Sequence, residues 1–234
     1  MAPHSDQSLM AIQVATLFRH DERARIVATN EPNPSRAPRL FVGRTRDGLV
    51  WRCRDDVPDD LAAEIGRLLA REPLDADLDS PPVWLDVLVR LLEWHAPVGR
   101  IWLGPAYYAP PGLAMPPGVV PTRPADAATL AVPFPEWASE VEGRQPCIGV
   151  VRNGAAVAIC GCARCSPVAA EAGVETREAF RGRGFATAAV AAWVEAVRRS
   201  GRIPLYSTSH DNVASRAIAR RLGLVRYGSD LSLA

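Results

Sequence analysis

The chain has 234 residues, enough for one large or two modest domains with real cores. It is 48% hydrophobic and 23% charged with a net charge of +1, so bulk electrostatics predict neither a nucleic-acid nor a membrane partner. All 27 basic side chains are arginine, which rules out Schiff-base or general-base chemistry on lysine.

Residues 1–6 carry no basic stretch leading into an apolar one, and no apolar run is long enough to span a bilayer. Five cysteines, an odd number without a secretory context, favour reduced thiols. A soluble, cytoplasmic protein is expected.

In chain order, Leu9, Met10, Val14, Leu17 and Phe18 predict a helix over Gln7–His20. The proline-rich run 29–38 ends it. Two strands, Leu40–Arg44 and Leu49–Arg54, flank the turn signal Asp47-Gly48. Helices follow over Pro58–Arg71 and Pro82–His95, each with proline in its first turn, and then a strand over Val98–Leu103. Seven prolines between Pro105 and Pro124 mark a linker or domain edge, taken as 110–124. Beyond it, strands 147–152 and 155–162 are joined by Asn153-Gly154, a strong hairpin signal. A strand over 169–176, a helix over 182–200 and a strand over 203–207 follow. The chain then reads as a helix over 212–222 and a last strand beginning at Leu224.

Arg181-Gly182-Arg183-Gly184-Phe185-Ala186 lies between a strand and a long helix. The glycines clear space for a ligand, and the first-turn amides with the helix dipole favour an anion such as a pyrophosphate. Arg181 and Arg183 are available for charge-assisted bonds.

This segment resembles the (Gln/Arg)-x-x-Gly-x-(Gly/Ala) signature of the GNAT superfamily of acetyl-CoA-dependent N-acyltransferases. The stretch from Ser209-His210-Asp211-Asn212 and Ser215 to Arg221-Leu222-Gly223-Leu224 is similar to the family's second motif. The resemblance covers about the last 115 residues and leaves the substrate open. It implies an α/β (α+β) fold, a mixed, mostly antiparallel sheet flanked by helices, over 118–234. An additional N-terminal α+β domain occupies 1–109. Its strand-strand-helix-helix-strand order fits a degenerate half of the same fold or a cover that shapes the acceptor site.

Acetyl-CoA is implied as co-substrate. Val174 and Thr176 would hold the pantetheine arm, 181–186 the pyrophosphate, and Asn212 and Ser215 the far side of the arm. The expected reaction is direct transfer of an acetyl or short acyl group to a primary amine in a ternary complex. Glu175 and His210 are the candidate catalytic residues, with Glu171 behind Glu175. Where many members carry an acidic tyrosine, seven residues after the asparagine, this chain has Ala219. A catalytically silent acyl-CoA-binding module and an O-acyltransferase are the alternative readings. The acceptor is unidentified, and pairing of edge strands between subunits leaves a homodimer open.

Cys147, Cys160, Cys162 and Cys165 invite a zinc hypothesis, because a two-residue turn at 153–154 would set Cys147 opposite Cys160. Their spacing is not that of a zinc knuckle or ribbon, so no metal is expected.

Overall fold

A computed structural model describes residues 4–71, 77–113 and 122–234. The first part contains α1 (Asp6–Leu17), a small hairpin β1 (Phe18–His20) and β2 (Ile26–Thr29), then β3 (Leu40–Thr45) and β4 (Gly48–Cys53). It continues with α2 (Asp59–Leu69), α3 (Leu85–Glu93) and β5 (Ile101–Tyr108). The second part has β6 (Thr122–Pro124), short helices α4 (Ala127–Leu130) and α5 (Pro135–Glu140), then β7 (Ile148–Arg152), β8 (Ala155–Cys165) and β9 (Ala169–Thr176). It ends with α6 (Phe185–Arg199), β10 (Ile203–Ser207), α7 (Val213–Arg221) and β11 (Val225–Leu233).

Local chemistry sets these boundaries. Ser5 caps α1 by accepting from the Ser8 amide, and the Asn212 side chain caps α7 by accepting from the Ser215 amide at 3.0 Å. Asn153 and Gly154 both have positive φ, 50° and 80°, as the tight β7–β8 turn requires. The helix expected over 7–20 stops at Leu17, because Phe18–His20 pair with Ile26–Thr29. The strand expected over 98–103 runs instead from 101 to 108, since neighbours on both sides supply its hydrogen bonds. The proposed 110–124 linker lies in part outside the described residues.

Nine strands form one sheet in the order β4-β3-β11-β5-β10-β9-β8-β7-β6. Every neighbouring pair is antiparallel except β9–β10. β5 from the first part lies between β10 and β11, and β11 from the chain's end lies between β3 and β5. The two parts of the chain therefore interlock.

Alternation assigns the faces. Ala169 and Leu205 pack with α1, whereas Ala170 and Tyr206 pack with α6, whose Trp193, Val190 and Val197 are fully buried. Leu40, Val42, Leu231 and Leu233 pack with α2 and α3.

The β7–β8 register departs from expectation. A bulge between Val150 and Val151 sets Ile148, not Cys147, opposite Cys160. Burial pushes the Cys147 and Cys162 thiols up to about 11, disfavouring the thiolates a metal needs. Among the described residues no three His, Cys, Asp or Glu side chains group as metal ligands, and no helix is long and apolar enough to cross a membrane.

Gly104 on β5 fits against the chain leaving β10. A Cβ there would lie 1.8 Å from the Thr208 carbonyl oxygen and 2.7 Å from Ser209 Cα, backbone atoms with no rotamer to yield. Gly104→Ala should lower stability by roughly 1–3 kcal/mol or more in urea unfolding. Gly99→Ala, whose Cβ meets nothing within 4 Å, is the control and should stay within about 0.5 kcal/mol of the parent. Equal stability of both variants would contradict this packing.

Candidate functional site

The parallel pairing of β9 with β10 covers Ile203–Ala169, Pro204–Ala170 and Leu205–Glu171, and stops there. From Ala172 onward β9 is paired only on its β8 side. Its other edge leaves backbone groups without a strand partner, and such groups must find one in solvent or a ligand.

On the α6 face this opening continues into a cleft of about 560 Å³. Val174, Thr176, Arg181, Gly182, Gly184, Phe185, Ala186, Asn212 and Ser215 all line it, together with Glu175, Ala214 and Arg221. Of the residues expected to hold a cofactor, only Arg183 lies outside this wall, and it stacks on the Phe180 ring of the same cleft at 5.5 Å. Gly182 and Gly184 have φ of 74° and 78°, a left-handed turn that leads into the first turn of α6. Phe180 and Phe185 lie 6.3 Å apart, and Arg177 and Arg152 stack on them. A helix N-terminus beside several guanidinium groups favours a phosphorylated ligand.

The opposite face carries a second cleft, of about 500 Å³, whose lining includes Phe18, Glu31, Arg36, Arg100, Trp102 and Arg164. Glu171, Ser207 and Asp230 also reach it. Both parts of the chain contribute. Glu171 lies at the last β9–β10 pair, next to the point where the strands part, and is 4% exposed. Neither of its oxygens makes a hydrogen bond of good geometry, although nearby Ser207 favours the charged form in part. Burial dominates and pushes the carboxyl up to about 7.

Asp230, 1% exposed, accepts from Gln13 Nε2 at 2.9 Å, and Tyr227 donates to Gln13 Oε1 at 2.8 Å. Burial, and then the neighbouring Glu171, hold Asp230 well above the usual carboxylate range.

The two residues expected to be catalytic are not brought together. Glu175 is exposed on the same side of β9 as Glu171 and accepts from Trp137 Nε1 at 2.9 Å. The indole lies over the cross-strand pair Gly161–Gly173, where a Cβ on either would come within 2.9 Å of the ring. His210 lines neither cleft. Its amide donates to the Leu103 carbonyl at 3.1 Å, and burial with Arg226 and Arg216 lowers its imidazole pKa.

Asp230 and Gln13 escaped the sequence reading. Carrying the last strand's alternation on to Leu233 would have placed an aspartate inside a central strand, a signal of a buried carboxyl.

Residues 136–228 match the sequence model of the GNAT acetyltransferase family. Solved structures similar to this chain include a GNAT-family protein of Novosphingobium aromaticivorans, at 20% identity and TM-score 0.44. That match covers 58% of this chain and 65% of the other, so the chain spans just under two thirds of that relative. A GNAT-family acetyltransferase of Colwellia psychrerythraea matches at 15% identity, 82% and 80% coverage and TM-score 0.48. A GCN5-related N-acetyltransferase of Kribbella flavida matches at 16% identity, 100% and 96% coverage and TM-score 0.48. A search of curated proteins finds no match.

Burial of Glu171 has a measurable consequence. Its folded-state pKa, about 7, exceeds the ordinary 4.5, so the folded chain holds the proton more tightly than the unfolded one. Stability is therefore highest below about pH 4.5 as far as this group goes, and falls as pH rises toward 7, by roughly 3 kcal/mol. Asp230 acts in the same sense. In urea unfolding between pH 5 and 8, Glu171→Gln should decline less than the parent. Parallel declines would place the carboxyl in a solvated setting.

The similarity to the GNAT acetyltransferase family thus lies in the C-terminal part of this chain, over residues 136–228.

Proposed function

We propose that the protein transfers an acetyl or other short acyl group from acyl-CoA to a primary amine. The cofactor would lie in the α6-side cleft and the acceptor in the α1-side cleft. The observation that carries this reading is the placement of a buried, poorly paired carboxyl, Glu171, where the β9–β10 pairing ends, in the wall of the α1-side cleft and three residues along β9 from Val174 of the α6-side cleft.

In this arrangement the pyrophosphate sits at the α6 N-terminus. The pantetheine arm runs along the free edge of β9 past Val174 and Thr176, whose Oγ1 is buried without a partner. The thioester then reaches the gap beside Glu171. The carboxylate takes a proton from the acceptor ammonium, the nitrogen bonds to the thioester carbon, the carbon–sulfur bond breaks, and the nitrogen's second proton passes to the departing thiolate to leave the amide and free CoA thiol. Glu171, pushed up to about 7 by burial, is suited to take a proton near neutral pH, whereas Glu175 is exposed and engaged by Trp137. Glu175, held by Trp137, serves to order the cleft wall.

The thiolate meets no tyrosine at position 219, where Ala219 is packed in the core. The hydroxyl lining the cleft nearby is Ser215, 2.6 Å from Tyr206 Oη, and it supplies a hydrogen bond to the departing sulfur. Residues 1–109 act as the acceptor-site wall, through Phe18, Glu31, Arg36, Arg100 and Trp102.

Calorimetric titration with acetyl-CoA tests the cofactor cleft. The wild type should bind one equivalent. Ala214→Trp should abolish binding, because Ala214 is exposed on the first turn of α7 and faces the cleft without the positive φ that would strain a substitution at Gly184. No binding by the folded wild type sinks the reading.

The base is tested separately. kcat/KM for an amine should rise with pH through an apparent pKa of about 7, apart from the acceptor's own titration. Glu171→Gln should lose about 100-fold or more in kcat and retain acetyl-CoA binding. Unchanged turnover in that variant would remove Glu171 from the chemistry.

A further inference from the structure

The acceptor cleft is electrically divided, and the division bears on what kind of amine it takes, granted the proposed function. Its most buried charged members are two carboxyl groups, Glu171 and Asp230, at 4% and 1% exposure. Its outer members include three arginines, Arg36, Arg100 and Arg164. Arg164 is already neutralised, by bonds of 2.6 and 3.0 Å to Glu31.

Arg36 is balanced differently. It reaches Asp56 at 3.1 Å with a side chain 75% exposed, but Asp56 is already gripped through both oxygens by Arg54, at 2.8 Å each. Two guanidinium groups thus share one carboxylate, and that corner keeps a net positive charge. Arg100, exposed on the same rim, adds to it.

The deep end is not a seat for two positive charges. One Asp230 oxygen is already taken by Gln13 Nε2 at 2.9 Å, whereas both Glu171 oxygens are without a hydrogen-bond partner, so Glu171 is the open seat. A polyamine would find a single anionic seat and then meet cationic side chains on the way out. A molecule with an ammonium at one end and an anion at the other finds both ends complemented.

We infer that the acceptor is a primary amine bearing a carboxylate on the same molecule, an amino acid in the broad sense, with its ammonium at Glu171 and its carboxylate at Arg36 and Arg100.

The test measures thiol release from saturating acetyl-CoA by the full chain. The acceptors are the twenty amino acids, β-alanine, 4-aminobutyrate, the matching carboxamides and spermidine. At least one aminocarboxylate should exceed its own carboxamide by roughly tenfold or more in kcat/KM, the scale of one charge-assisted hydrogen bond. The double variant Arg36→Gln/Arg100→Gln should narrow that preference to about threefold or less, by raising KM for the aminocarboxylate.

A carboxamide or spermidine used as well as the best aminocarboxylate overturns the inference and leaves acyl transfer to amines standing. Preference unaltered in the double variant also overturns it. Absence of turnover across the panel overturns it too, and acetyl-CoA titration of the same preparation then shows whether the proposed function falls with it.

Discussion

Parallel strands normally pair along their length, because each unpaired peptide group in a sheet's interior forgoes a hydrogen bond. Here β9 and β10 register over three residue pairs and then separate, while each keeps its other neighbour, β8 and β5. The gap is thus held open from both sides by intact ladders. It leaves a free backbone edge in the middle of a nine-stranded sheet, with a cleft on each face. The helix N-terminus lines the cleft on one face of this gap, and the buried glutamate and the arginine rim line the cleft on the other. In the proposed function the cofactor's arm supplies what the missing strand contacts would have supplied.

The gap in turn depends on how the two parts of the chain interlock. β5 lies between β10 and β11, and the close fit of Gly104 against Thr208 and Ser209 sets the path of the chain as it leaves β10. The same insertion brings Trp102 to the α1-side cleft and places Asp230, paired with Gly104, beside it. Helix α1 closes that side and sends Gln13 to the buried Asp230 and Tyr227. A buried carboxyl with few partners is costly. Such a group is retained where its altered proton affinity serves chemistry, which is the case argued for Glu171.

The α6-side cleft was legible in the sequence because its determinants are local. Two glycines with positive φ, the start of α6 and the Asn212 cap fall within short stretches, and their spacing carries the pattern. Strand 169–176 and strand 203–207 were also readable, since apolar alternation and flanking turns mark them. The α1-side cleft was not. Glu171 comes beside Asp230 and shares a cleft with Arg36 only through long-range strand order, and no local pattern says that β11 passes between β3 and β5. The β7–β8 bulge was equally hidden. One extra residue moved Cys147 out of line with Cys160, although the turn itself was read correctly. Glu175 and Glu171 lie on one side of the same strand, so periodicity could not rank them. Burial and the Trp137 bond do.

The central claim is that the thioester and Glu171 meet at the β9–β10 gap. A crystal structure of the wild-type chain with an unreactive ketone analogue of acetyl-CoA measures this directly. The account predicts the pyrophosphate at residues 182–186 and the analogue's carbonyl carbon roughly 5–7 Å from the Glu171 carboxylate, room for one amine between them. A carbonyl carbon lying beyond about 10 Å from Glu171, or beside Glu175 with Glu171 screened from it, would contradict it.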